Sequence, residues 1–227
     1  MLRSLLSGGF DFVNVLIYIV SAIVVIFITM PIHEFAHGYA ATKLGDNTPR
    51  RQGRLSLNPF AHIDYVGALC ILAFGFGWAK PVQVNGYNFK NPKRDMAITA
   101  FAGPLSNIIV AFVSLLIYNI FRNLFLMSGS NLLVIYLPLF FYYVALVNVR
   151  LAVFNLIPIP PLDGSRIASL LIPSKYYFRI MQYERYIILG VFALILFGVL
   201  DRPMAFVSGN IMNLIVKLTG LPFTLFS

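Results

Sequence analysis

Charged side chains are scarce in this 227-residue chain. Asp, Glu, Lys and Arg make up 11% of it, about half the roughly 25% of a soluble globular domain. Acids are scarcer still, eight against 17 bases, and only two of the eight are glutamates. With 59% hydrophobic residues and a mean hydropathy of +0.82, a disordered chain and an ordinary soluble enzyme are both excluded. An integral membrane protein is expected. The single cysteine, Cys70, rules out an intramolecular disulfide framework and any Cys-x-x-Cys redox or ribbon chemistry, so stability must come from helix packing. Repeats, low-complexity tracts and linkers are also missing. One domain over 1–227 is expected, with its core at 12–166 and C-terminal helices at 183–220. The net charge of +9 lies in short segments between apolar runs and forms no single basic stripe. That pattern suits the loops of a bilayer protein and argues against a nucleic-acid partner.

Four long apolar runs stand out, at residues 12–32, 96–121, 132–157 and 186–200, each near the roughly 20 residues a bilayer core requires, the last one short. Arg3 and the apolar stretch behind it resemble a signal peptide without a small-x-small cleavage site, and read as a retained helix. Two runs are ambiguous: 62–79 is rich in glycine (Gly67, Gly75, Gly77), and 204–219 carries Ser, Asn and Lys217 among apolar residues. Twelve of the 17 bases fall in 43–54, 80–94 and 166–185, which should therefore share the cytoplasmic side. The run 62–79 between the first two then cannot cross, and must dip in and return. Two stretches alternate as strands do: Arg54–Leu57, and Val82–Phe89 around Asn85-Gly86, a strong hairpin signal. The expected fold is an all-α polytopic membrane protein of about five to six transmembrane helices, with a re-entrant segment and a small membrane-associated β-sheet.

The chemistry concentrates at His33-Glu34-Phe35-Ala36-His37, which holds two of the three histidines and one of the two glutamates. On a helix, residues i and i+4 lie about 40° apart around the axis, so both imidazoles can reach one ion. Glu34 points about 100° away from His33, which suits a general base acting on a metal-activated water better than a ligand. A bland alternative is a set of solvated polar groups at a helix end. Their cost inside a membrane segment, about 2.5–3.5 kcal/mol for an Asp, Lys or Arg at its centre, favours function. A catalytic zinc site usually has three protein ligands. The remaining candidates are Asp11, Asp46, His62, Asp64, Asp95, Asp163, Glu184 and Asp201. Asp163 stands out because Pro158, Pro160 and Pro161 break the preceding helix and bring an extended carboxylate-bearing stretch beside the membrane.

His33-Glu34-Phe35-Ala36-His37, followed by Asn155-x-x-Pro158-x-Pro160-Pro161-Leu162-Asp163-Gly164, resembles the site-2 protease family of intramembrane zinc metalloproteases (peptidase family M50). Ala102-Gly103-Pro104-Leu105-Ser106-Asn107 matches it as well. The resemblance spans residues 29–166 and implies one Zn2+ per chain, held by His33, His37 and Asp163. It further implies Glu34 as the base and Asn155 as a polariser of the scissile carbonyl or its oxyanion. Its substrate would be a transmembrane protein within the lipid bilayer, unwound locally before attack and paired with an edge at Val82–Val84 or Arg54–Leu57. The reading places the chain in a bacterial cell (inner) membrane with the site towards the cytoplasm. Topology agrees: if 62–79 does not cross, Asp163 returns to the side of the histidines. The resemblance is to a compact form of the family, expected to lack PDZ and CBS modules. A membrane metal-ion transporter, or an inactive membrane binding module, would share the broken helices. Glu34 separates them, since a carrier needs no base, and an inactive relative should lack a ligand or the base.

Weaker readings attach to other residues. Gly103-Pro104 suits close helix packing or a helix start, and Asn107 a backbone cap or a cavity wall. His62 suits an interfacial histidine, Asp64 a helix cap and Trp78 an interface anchor. Arg150 needs a partner inside its helix, and Phe140–Tyr143 reads as lipid-facing or core.

Overall fold

The structure is a computed structural model and describes residues 12–74, 77–128 and 132–224. Asp11 and Gly75 lie outside them. Nine helices form among the described residues: α1 (Phe12–Lys43), α2 (Thr48–Arg51), α3 (Tyr65–Phe74), α4 (Pro92–Ser128), α5 (Leu132–Asn155), α6 (Asp163–Ala168), α7 (Ser174–Gln182), α8 (Glu184–Leu196) and α9 (Asp201–Thr224).

The apolar patterning builds a central three-helix unit. Tyr18, Ala22 and Val25 of α1, Ala111 and Leu115 of α4, and Val144, Ala145 and Val147 of α5 are buried against one another. The outer faces are equally apolar: Phe12, Leu16, Val20, Ile23 and Phe27 on α1 are exposed, as are Ile98, Phe101, Leu105, Ile109 and Phe112 on α4. Apolar stripes on both sides of a helix belong in lipid, because water would leave the outer one as a large exposed patch.

Among the described residues, three helices are long and apolar enough to cross a membrane: Phe12–Lys43, Pro92–Asn123 and Tyr136–Asn155. The expected count of five to six is not reached by length and composition, since α8 has 13 residues and α9 mixes polar side chains into its 24. α9 nonetheless packs on the central unit: Met212 and Ile215 join its core, and Asn119 of α4 donates to the Thr219 hydroxyl at 2.8 Å.

The 62–79 run forms only the 10-residue α3, about 15 Å long, half a bilayer core. Its flanks close on themselves, because the Lys80 amide donates to the His62 carbonyl at 2.7 Å. Gly67 meets the returning chain so closely that a Cβ there would strike the Trp78 backbone. Asp64 caps α3, accepting from the Gly67 amide at 2.9 Å.

The small sheet does not form: no strand occurs among the described residues. The reason is visible in the hydrogen bonds of 82–89. The Val82 amide donates to Glu34 Oε2 (2.8 Å) and the Asn85 amide to Asp46 Oδ2 (2.7 Å), so donors a ladder needs are already used. Gly86 lacks the positive φ of a type I′ hairpin. Asn85 caps a short 3-10 turn at Gly86–Asn88 instead, its Oδ1 accepting from the Tyr87 amide. The 54–57 stretch is turned by Arg54 N–H to Pro49 O and by Asn58 N–H to Ser56 Oγ. Gln52 and Gln83 join the two stretches by side chains, at 2.9 Å.

Asp46 is the post of this region. Just past α1, Gly45 takes a φ of 113°, a turn that favours glycine, and delivers Asp46 into a buried site. There its carboxylate accepts from the Thr48 amide and hydroxyl, Asn88 Nδ2 and the Asn85 amide. Burial alone would raise its pKa, but the hydrogen bonds from Thr48, Asn88 and Asn85 outweigh that and hold it below the usual carboxylate range. A depressed carboxyl pKa stabilises the fold above the unfolded value, about 3.9, and the contribution is lost as pH falls through the lower folded value. Asp46→Asn should therefore cost about 1–3 kcal/mol at neutral pH, and thermal unfolding in detergent should show the gap from wild type closing under strong acid. A gap independent of pH would refute the charge assignment.

Candidate active site

His33 and His37 owe their aim to an irregularity in α1. Pro31 has no amide to donate, and the helix widens just before it into a π-turn, Val25–Thr29, in which Met30 N–H reaches Val25 O. A π-turn adds a residue and re-phases the helix beyond it, so the histidine face of 30–43 is rotated relative to 12–24. Both rings point at α4. There the Thr99 carbonyl lies 2.7 Å from His37 Nδ1, and since a carbonyl only accepts, Nδ1 carries the proton and Nε2 keeps a lone pair.

Asp163 arrives from α5. Pro158, Pro160 and Pro161 stop the helix after Asn155, and the chain re-enters a short helix, α6, whose first residue is Asp163. Ser165 N–H and Oγ both return to Leu162 O. Gly164 sits so tightly on the loop that a Cβ would collide with the Leu156 and Ile157 carbonyls.

The three side chains converge. His33 Nε2 and His37 Nε2 are 3.0 Å apart, and Asp163 Oδ2 lies 3.4 Å from the first and 3.2 Å from the second. A tetrahedral ion with bonds of roughly 2.0–2.1 Å would separate its ligand atoms by about 3.3 Å, so this triangle has the size zinc requires. The donor set, two imidazoles and one carboxylate, is one zinc accepts in catalytic sites. Around the triangle lies a cavity of about 170 Å³, lined by His33, Glu34, Asp163, Asn107, Asn155 and Trp78 among others. Glu34 is buried, with Oε2 engaged by the Val82 amide. Asn107 is buried with its Oδ1 unpartnered.

Residues 21–199 match Peptidase family M50. The chain belongs to that family. Over 167 residues it is 40% identical to "Putative zinc metalloprotease YwhC" of Bacillus subtilis (strain 168), covering 72% of this chain and 74% of that one. Over 159 residues it is 31% identical to "Putative zinc metalloprotease MJ0611" of Methanocaldococcus jannaschii, covering 68% and 71% respectively. "Zinc metalloprotease MJ0392" of the same organism is 27% identical over 169 residues, 74% of this chain but 39% of the longer relative. No solved structure matches this chain significantly.

In this M50 peptidase the other candidate ligands lie elsewhere. His62 is buried and bonds Ser56 O through Nε2 at 2.8 Å, holding the 54–63 turn. Asp46 and Asp64 are engaged in the turn after α1 and the cap of α3, Asp95 accepts from the Asn91 amide and Arg94, and Glu184 and Asp201 open α8 and α9. Arg150 lies within electrostatic reach of the Tyr18 hydroxyl. Trp78 walls the cavity in addition to adjoining Lys80.

Three site features escape the sequence. The Thr99 carbonyl and Val82 amide are backbone groups without a residue signature. Gly103 has a signal, the Gly-Pro pair in a long helix, but its purpose needs the structure: a Cβ at 103 would collide with His37 Nε2 and crowd Cε1 of both histidines. Gly103→Ala should weaken zinc affinity about 10- to 100-fold, the usual cost of disturbing the groups that orient a metal's ligands, with helix content unchanged. Zinc titration of the purified protein reads this, and wild-type affinity in the variant would show that the rings tolerate a methyl group.

Proposed function

We propose that this chain is a zinc-dependent intramembrane endopeptidase that hydrolyses peptide bonds in or near transmembrane segments of membrane proteins. The observation that carries the reading is the triangle of His33, His37 and Asp163 among three apolar helices, with a buried carboxylate, Glu34, on the same cavity wall. Zinc, when bound, supplies a Lewis acid that brings water within reach of a carboxylate base at neutral pH and stabilises charge on the peptide oxygen.

The protein's own groups do the rest. His37 is held in one tautomer by Thr99 O, so that Nε2 faces the centre. Glu34 Oε2 is anchored by the Val82 amide, which leaves Oε1 to take a proton from water and hand it to the leaving amine. Asn155 and Asn107 bring two amides to the cavity, placed to donate to the carbonyl oxygen as charge builds on it. A helix about 10–12 Å across cannot enter a 170 Å³ cavity, so the substrate must be locally extended.

The closed flanks of 62–80 support a re-entrant α3. With α3 returning, α4 leaves and α5 comes back, and Asp163 reaches the histidines' end. The bases at 43–54, 80–94 and 166–185 support a cytoplasmic side for that end.

Glu34→Gln should retain zinc while cleavage falls by about 10²- to 10⁴-fold, whereas Asp163→Ala should lose the metal. Metal content and cleavage of a transmembrane reporter in the same preparations decide it. Cleavage surviving in Glu34→Gln with zinc bound would remove Glu34 as the base, and zinc bound without any cleavage by wild type would bring the carrier and binding-module readings forward.

A further inference from the structure

A second cavity, about 410 Å³, lies apart from the proposed metal centre, between the first turn of α4, α6, α7 and the turn at Gly86–Asn88. Its walls combine two chemistries. Lys93 and Arg166 supply positive charge and Ser169 a hydroxyl, while Tyr87, Tyr177 and Met181 supply aromatic and apolar surface. No carboxylate lines it among the described residues. Neither cation is in an ion pair among those residues: Lys93 Nζ donates to the Ile172 carbonyl (3.2 Å), and Arg166 Nη1 faces the Met96 sulfur at 3.9 Å. A half-buried guanidinium that faces a thioether keeps most of its donors available.

We propose that this cavity binds the headgroup of an anionic phospholipid. The two cations favour a phosphate, guanidinium being suited to it by its planar fork of donors. Size and lining favour a lipid over a free phosphate, which would fill a small part of 410 Å³ and make no use of the apolar surface of Met181 and the Tyr87 ring. The wall helix α7 points the same way. It places Lys175, Arg179 and Gln182 on one side and Tyr176, Tyr177, Ile180 and Met181 on the other, the build of a helix lying in the membrane interface. Beside it Leu170, Leu171, Tyr176 and Tyr183 are exposed, as residues at the acyl boundary are. The mouth of the cavity therefore sits at headgroup depth, with the cations turned to the phosphate.

The test is lipid binding by the full-length protein in detergent, read by native mass spectrometry. It is titrated with short-chain phosphatidylglycerol, phosphatidylcholine of the same chains, and glycerol phosphate. One saturable phosphatidylglycerol is expected, bound more tightly than phosphatidylcholine, with glycerol phosphate unbound at the same concentrations. Arg166→Gln should weaken it about tenfold or more, Arg166→Lys should keep most of the affinity, and exposed Lys93→Gln should weaken it to a smaller extent. Zinc content checks that each variant is folded. If Arg166→Gln fails that check, Lys93→Gln decides. Affinities unchanged in folded variants, or equal for phosphatidylcholine, would overturn the site. Glycerol phosphate binding as tightly as the lipid would overturn the lipid and assign the cavity to a soluble phosphate.

Discussion

Three potential lone-pair atoms within 3.4 Å of one another form a cluster that an apolar interior tolerates when a proton or a metal cation is shared among them. Two imidazole nitrogens and a carboxylate oxygen facing inwards repel, and removing them from water costs several kcal/mol for a charged group left uncompensated. The irregularities of the fold serve this convergence. The π-turn before Pro31 turns the histidine face towards α4, the missing side chain at Gly103 makes room for the rings, and Gly164 lets α6 rest on the carbonyls that precede it. Each departs from ideal helix geometry or helix-favouring composition, and each does so close to a proposed ligand or the residue beside it. Special residues concentrated at one place are expected where function overrides local preference.

The second constraint is how a non-helical segment survives beside a membrane. Backbone donors there need partners, and residues 82–85 find them in two carboxylates instead of a neighbouring strand. Glu34 at one end belongs to the proposed chemistry, and Asp46 at the other belongs to the scaffold. The segment thus ties the base to a rigid post outside the helices. It also occupies one oxygen of Glu34, so the aim of the proposed base is set by a residue 48 positions away in the chain.

Much of the site is legible in the sequence because its chemistry resides in side-chain types at helical spacing. His33, Glu34 and His37 declare themselves by position, and the prolines before Asp163 announce a broken helix that carries an acid. Charge placement accords with the closed flanks of α3, since bases on both sides of an apolar run argue against a crossing. The small sheet misleads for a specific reason. Asn85-Gly86 is a local hairpin signal, and local signals yield when tertiary acceptors take the donors first. Nothing in the sequence shows that Glu34 and Asp46 are those acceptors. At 186–200 the apolar run is interrupted, the chain turning at Gly198 with φ 67°, so length and composition alone neither establish nor exclude a crossing there.

The size of the cavity bears on what such a peptidase can select. Side-chain pockets that discriminate among ligands usually run to about 300 Å³ or more, and the 170 Å³ here leaves room for little beyond the scissile backbone and its near neighbours. On the proposed reading of a transmembrane substrate, selection would fall on the cost of extending it. Unwinding a stretch of helix costs less where Gly or Pro already weakens it, by about 1 kcal/mol per Gly and about 3 per Pro relative to Ala. A difference of that size changes the extended population about fivefold to over a hundredfold. Trp78 and Pro81 stand on the same cavity wall as Glu34 and Asp163, so on the proposed reading an extended segment would pass between apolar walls and the polar centre.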